Sequence, residues 1–237
     1  MPPRPSSSPS LTQRTYGCLR ADILGGRFAP GQRLRPSELA AAKGVSLNVV
    51  REALNRLAGE RLVRASPQQG FAVVATTPAD LADLTDVRGL VETAALRRSI
   101  ERGDLAWESE LVAAHHRLAN TPMTAPGNDD VLSDDWARAH SAFHAATMSG
   151  CGSPRLIEMA ADLGECAALY RHWSHRYDGG RRDVAGEHRA IFDATVARDA
   201  DLACRVHLDH IHRTAEIVIA AIEADTADAG GGETATA

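Results

Sequence analysis

Strand-like patterning in this chain stops at residue 76. Before that point two short runs, LVRA at 62–65 and FAVVA at 71–75, flank the turn-forming SPQQG and read as a hairpin. Beyond it the apolar residues recur at helical spacing, and helices are predicted near 78–102, 105–119, 130–149, 153–174, 183–198 and 200–226. Thr77-Pro78 supplies the start signal, a capping residue followed by proline at the first helical position. The breaks are NTPMTAPGN and YDGG. So many successive amphipathic helices must bury their apolar faces against one another. The second part is therefore expected to be an all-α antiparallel bundle over 77–226, with a disordered tail at 227–237.

The first part reads differently. Residues 1–10 are a Pro/Ser arm expected to be disordered. Tyr16, Leu19 and Ile23 repeat at helical spacing before Gly25-Gly26, and Pro30-Gly31 is a turn. Ser37 is read as the cap of a short helix, SELAAAK, closed by Gly44, and Ser46 as the cap of SLNVVREALNRLAGE. Three helices and a two-stranded hairpin within 11–76 make a winged helix-turn-helix. The predicted fold class is mainly α.

Charge follows the same boundary. The overall net charge of −5 divides into eleven Arg/Lys against four Asp/Glu in residues 1–76 and fifteen against twenty-seven beyond them. A basic first unit on an acidic remainder suits a polyanion-binding module. Four dispersed cysteines with no CxxC pair argue against a disulfide scaffold or a thiolate zinc site. No apolar run approaches the ~18–20 residues of a membrane span, and MPPRPSSSPS has no apolar core, so a cytoplasmic protein is expected.

PGQRL at 30–34, SELAAAKGVS at 37–46, VREALNRLAGERLV at 50–63 and QGFAV at 69–73 together resemble the GntR family of bacterial transcription regulators. The periodicity agrees independently. Val50, Ala53, Leu54 and Leu57 form one buried stripe, which leaves Ser46, Leu47, Asn48 and Arg51 at the end of the helix that enters the major groove in a helix-turn-helix. Arg51 is the candidate reader of guanine or phosphate, Asn48 of adenine, and Leu47 of a thymine methyl. Arg35, Arg56, Arg61 and Arg64 are candidate phosphate contacts, and Gln69-Gly70 tips the wing. Family members usually carry arginine where this chain has Leu47 and Arg-Gly where it has Gln69-Gly70, which implies an altered operator, weaker binding, or both.

In the second part, DVRGLVETAALR, FHAATMSGCGSPRL at 143–156 and GEHRAIFDATVARDADLACRVHLDHI at 186–211 occur in the order seen in the FCD effector domain of the FadR branch. The stretch HSAFH at 140–144 places two imidazoles on one helix face, and spacing alone favours two ordinary, partly buried histidines over a metal pair. The resemblance implies that His144, His188 and His210 bind a divalent metal. It also places His140 where the family has an aspartate ligand, with His207 in reserve. Neutral imidazoles suit zinc, the default, or nickel or cobalt, and suit magnesium or calcium poorly. Arg88 and Glu92 share a face one turn apart. The resemblance places Arg88 against the carboxylate of a small organic acid, where spacing alone would allow an exposed salt bridge. Tyr170 and Arg171 are weaker effector-binding candidates.

The expected function is a homodimeric, ligand-responsive regulator of operator DNA, read as a repressor. A metal-sensing regulator would use the same histidines. A metalloenzyme would need a base beside the metal. Glu187 adjoins His188 but points elsewhere on the helix, and no HExxH, nucleophile elbow or phosphate loop occurs, so no enzyme is expected.

Overall fold

The computed structural model describes residues 10–231; residues 1–9 of the arm expected at 1–10, and residues 232–237, lie outside them. The chain divides into two compact units at Thr76/Thr77.

The first unit opens with α1 (Leu11–Leu24), capped by Ser10, whose hydroxyl accepts the Gln13 N–H. It continues through β1 (Arg33–Leu34), α2 (Pro36–Lys43), α3 (Leu47–Gly59), β2 (Val63–Ser66) and β3 (Gly70–Val73). The wing has one strand more than expected. Arg33 and Leu34 pair antiparallel with Ala72 and Phe71, giving the order β1-β3-β2. Ser37 does not cap α2. The helix begins at Pro36, and Arg35 precedes it without a side-chain cap, because the ring of a first-turn proline already fixes the helical φ and lacks an N–H needing a partner. Gly44 closes α2 in the left-handed conformation (φ 62°), which lets the chain turn into α3 without a Cβ clash. Leu19, Ile23, Val50, Ala53, Leu54 and Leu57 are all fully buried and weld α1 to α3. Lys43, the chain's single lysine, reaches Asp22 at 2.8 Å and so ties α2 to α1.

The second unit runs α4 (Pro78–Arg102), α5 (Leu105–Ala119), β4 (Thr124–Ala125), β5 (Asn128–Leu132), α6 (Asp134–Met148), α7 (Pro154–Cys166), α8 (Ala168–Asp178), α9 (Val184–Val196) and α10 (Ala200–Gly231). Three expectations need correction. The bundle is not purely helical, since β4 and β5 form a hairpin over Pro126-Gly127, and the helix expected from 130 starts at Asp134. The helix expected over 153–174 is two helices divided at Ala167. Finally, α10 continues to Gly231 through residues expected to be disordered.

Start signals hold well here. Thr77 and Asp80 form a reciprocal capping box on α4, and Asp104, Ser133, Ser153 and Asp183 each accept a backbone N–H at a helix start. Gly89 lets α10 approach α4 closely: a Cβ there would lie 2.8 Å from the Leu208 side chain. At the α9–α10 corner, Arg198 (φ 59°) donates to the carbonyls of Ile100 and Gly103 and bonds Glu108, fastening that corner to the α4–α5 turn. The core joins Leu96, Leu111, Phe143 and Ile191, and one wall of it is polar.

Candidate functional site

That wall belongs to α6, α9 and α10. His140 and His144 lie one turn apart on α6, His188 on the first turns of α9 and His210 in α10. One ring nitrogen from each lies within 4.8 Å of the others. His140, His188 and His210 are buried, and burial is the largest of the causes that lower all four pKa values; for His188 it outweighs the opposing charge of Glu187 and brings the value to about 3. The rings are therefore neutral at pH 7, the form that offers a lone pair to a metal.

Two details test the fit. The Nε2 atoms of His144 and His188 face each other at 3.3 Å. Metal–nitrogen bonds of about 2.0–2.1 Å at tetrahedral angles separate neighbouring ligand atoms by about that much. His210 Nδ1 faces two groups, Glu187 Oε2 at 2.7 Å and Arg182 Nη2 at 3.3 Å; a hydrogen on Nδ1 given to the nearer carboxylate leaves the Nε2 lone pair free. Arg182, almost fully buried, locks Glu187 through contacts of 2.6–3.1 Å and also donates to Thr214 and to the His210 carbonyl. Glu187 was set aside in the sequence because it adjoins His188. Its true partner lies 23 residues away, a pairing that linear spacing does not reveal. The residues present fit a divalent borderline metal.

His207, the reserve ligand, is not part of the cluster. Its Nε2 donates to Glu92 Oε2 at 2.7 Å. Glu92 is 2% exposed and also binds Arg88 Nε at 2.7 Å. Burial alone would raise this carboxyl, but His207 and Arg88 outweigh it and hold the pKa at about 2. The pair is a buried ion pair rather than an exposed one, and it uses Arg88 Nε and Nη2, leaving Nη1 for a ligand. Glu92 thereby positions Arg88, and it also lines the larger of the two cavities beside the histidines.

Two cavities flank the histidines. One of about 150 Å³ lies toward Trp136, Arg182 and Thr214, and one of about 270 Å³ toward Met148, Ile157 and Ala160. Arg88, His140 and Arg171 line both. Tyr170 lines neither; it is buried and packs edge-on against Trp173 at 5.8 Å, because adjacent residues on α8 face different sides.

On the first unit, Ser46 caps α3 by accepting the Val49 N–H, and Leu47, Asn48 and Arg51 after it are exposed, Leu47 by 41%. Arg64 and Gln69 are exposed on the wing, where Gln68 (φ 67°) and Gly70 (φ 78°) form a tight left-handed corner. Arg35 is exposed and paired with Glu38. Arg56 is committed inside the unit: its guanidinium lies 3.9 Å over the Tyr16 ring and donates to Gln13 at 2.7 Å, so holding α1 leaves it less free for phosphate. Arg61 sits left-handed (φ 57°) at the end of α3.

A profile described as "Bacterial regulatory proteins, gntR family" matches residues 11–73, and the FCD domain profile matches 83–213, more than half of the chain. The chain belongs to the GntR family. Among its GntR relatives, the HTH-type transcriptional regulator BphR of Paraburkholderia xenovorans is 34% identical over 209 residues, 88% of this chain and 85% of that protein. The HTH-type transcriptional repressor GlaR of Escherichia coli is 32% identical, covering 83% of this chain and 90% of its own length. A GntR regulator from Rhodococcus sp. RHA1 has the same fold with a TM-score of 0.59 at 28% identity, over 87% of this chain and 97% of that one. This GntR protein is thus a DNA-binding transcriptional regulator with an FCD domain, and not an enzyme. Among the described residues no helix is long and apolar enough to cross a membrane.

Proposed function

We propose that this chain is a cytoplasmic, homodimeric repressor whose FCD unit holds a divalent metal, zinc before nickel or cobalt, and releases operator DNA when a small carboxylate metabolite binds beside it. The observation that carries this reading is the convergence of four neutral histidines from three helices beside cavities lined by Arg88 and Arg171. His144, His188 and His210 hold the ion, with His140 within reach of it. The bound metal supplies a Lewis-acidic positive charge for a carboxylate oxygen. The Arg88 guanidinium, oriented by Glu92, supplies donors for the same group. Burial of the ligands and the Glu187 brace favour a resident ion over one that is sensed. The exposed start of α3 reads the major groove through Asn48 and Arg51, and dimerisation sets the spacing of two half-sites.

The test is fluorescence anisotropy on DNA upstream of the chain's own gene, beside scrambled DNA at one fixed salt concentration, with a panel of small mono- and dicarboxylates. Binding about a hundredfold or more tighter than to the scramble, relieved by one carboxylate and not by its amide, is expected. Equal binding to both DNAs, or release by no carboxylate in a metal-loaded sample, contradicts it.

A further inference from the structure

Arg171 carries an arrangement that the metal reading alone does not explain. Its Nη1 lies 3.1 Å from His140 Nδ1. A guanidinium has only donors, so Nδ1 must be the acceptor in this contact. A neutral imidazole has one lone pair. If Nδ1 spends it on Arg171, Nε2 carries the hydrogen and neither nitrogen can bind a metal. His210 differs: Arg182 Nη2 also approaches its Nδ1, at 3.3 Å, but a carboxylate lies nearer, at 2.7 Å, and can take the Nδ1 hydrogen, leaving Nε2 free. Nothing of this kind holds His144, whose Nδ1 is buried without a partner among the described residues and whose Nε2 faces His188 Nε2 at 3.3 Å. One of the four histidines is thus held in a form that excludes coordination.

The second observation is the state of Arg171 itself. Its Nε is buried with no hydrogen-bond partner among the described residues. Its side chain lines both cavities, as does His140. Burial, and then the charge of Arg88, press the guanidinium down to about 10, which still leaves it charged at neutral pH. A buried cation bonded to a neutral imidazole has donors to spare and no carboxylate to neutralise it.

We propose that Arg171 keeps His140 out of the coordination shell of a metal held by His144, His188 and His210, and so reserves one coordination position for the carboxylate of the effector. The proposal rests on the metal reading and narrows it: the resident site is a three-histidine site, and His140 is a ligand only when Arg171 lets go. A carboxylate entering from either cavity meets the ion and the guanidinium together, which favours it over a neutral ligand of the same size.

Cobalt(II) tests this, because its visible bands follow the ligands it carries. Metal-depleted full-length protein is titrated with Co(II), with acetate as the probe carboxylate. Wild type is expected to give bands that acetate shifts, and His140→Ala to leave Co(II) affinity and spectrum nearly unchanged. Arg171→Leu frees His140 to take the reserved position, so its bands should differ from wild type and cease to respond to acetate, and adding His140→Ala to it should restore the acetate response. A loss of Co(II) affinity of about tenfold or more in His140→Ala alone, or an unchanged spectrum in folded Arg171→Leu, overturns the proposal. Should Arg171→Leu fail to fold by circular dichroism, the His140→Ala titration decides by itself. If wild type takes up no Co(II) that His188→Ala removes, the metal reading falls, and the proposal with it.

Discussion

In the winged helix-turn-helix unit the residues proposed to face DNA, Leu47, Asn48 and Arg51, stand exposed on a helix start. In the FCD unit His140, His188, His210 and Glu92 lie buried among packed aromatic rings. The first arrangement costs little stability, because the α1–α3 core beneath it is mostly apolar and the exposed side chains keep their hydration. The second places titratable groups where each needs a partner, and supplies them in chains: Arg182 to Glu187 to His210, and Arg88 to Glu92 to His207. Substitution on an exposed surface should therefore change recognition and leave the fold alone. Substitution within the buried chains should change both.

The largest effect is expected at the ligands. His188→Ala should weaken metal binding by at least about a hundredfold, read by competition with a chromophoric chelator, while DNA-contact substitutions leave metal affinity unchanged. If Arg51→Ala altered metal binding as strongly, the separation of roles between the units would fail.

Acid should divide the units next. Residues 1–76 contain no histidine, whereas the FCD unit buries four beside one another with lowered pKa values. A lowered folded pKa means that the unfolded chain takes up protons first as pH falls. The stability tied to each histidine is therefore full above the ordinary value near ~6.5, and for His188 it is lost down to about 3. Each such group removes up to about 1.4 kcal/mol per pH unit in that window. All three tryptophans, Trp107, Trp136 and Trp173, belong to the FCD unit, so denaturant melts of metal-free protein followed by their fluorescence report it selectively. The midpoint should drop between pH 7 and 5 while the protection factors of the α3 amides, corrected for intrinsic exchange at each pH, stay nearly constant. A parallel loss of protection in α3 would show that the winged unit draws its stability from the FCD unit.

The DNA surface should give smaller changes. Arg51→Ala is expected to cost about 1–3 kcal/mol of operator affinity, with Arg56→Ala instead lowering the melting temperature through lost contact with Tyr16 and Gln13. Smallest is Leu47→Arg, which should tighten binding and steepen the salt dependence by about one unit in the log–log slope. An unchanged slope would mean that position 47 does not approach the phosphates.

Much of the architecture was legible in the residues because helix starts are local. Thr77-Pro78 and Ser46 mark helix starts with side chains that bond the backbone three residues on, and the α3 stripe needs only a period of 3.6. The misreadings have local causes as well. The β4–β5 hairpin is too short to show alternation and hid the helix start at Ser133, and α7 gives way to α8 at Ala167, where no proline stands and Gly164 lies within α7.

The sequence by itself determined the division at residue 76, the charge of each unit and the exposed start of α3, and it singled out four histidines as one candidate group. The Arg88–Glu92 pair, one helical turn apart, is equally local. What only the tertiary structure decided is which partner each polar group has across the core: Glu187 with His210, Glu92 with His207, and Arg171 with His140. Periodicity and caps are set by neighbours within a few residues. The partners across the core are 23 to 115 residues apart and meet only when the bundle closes, so no local pattern announces them.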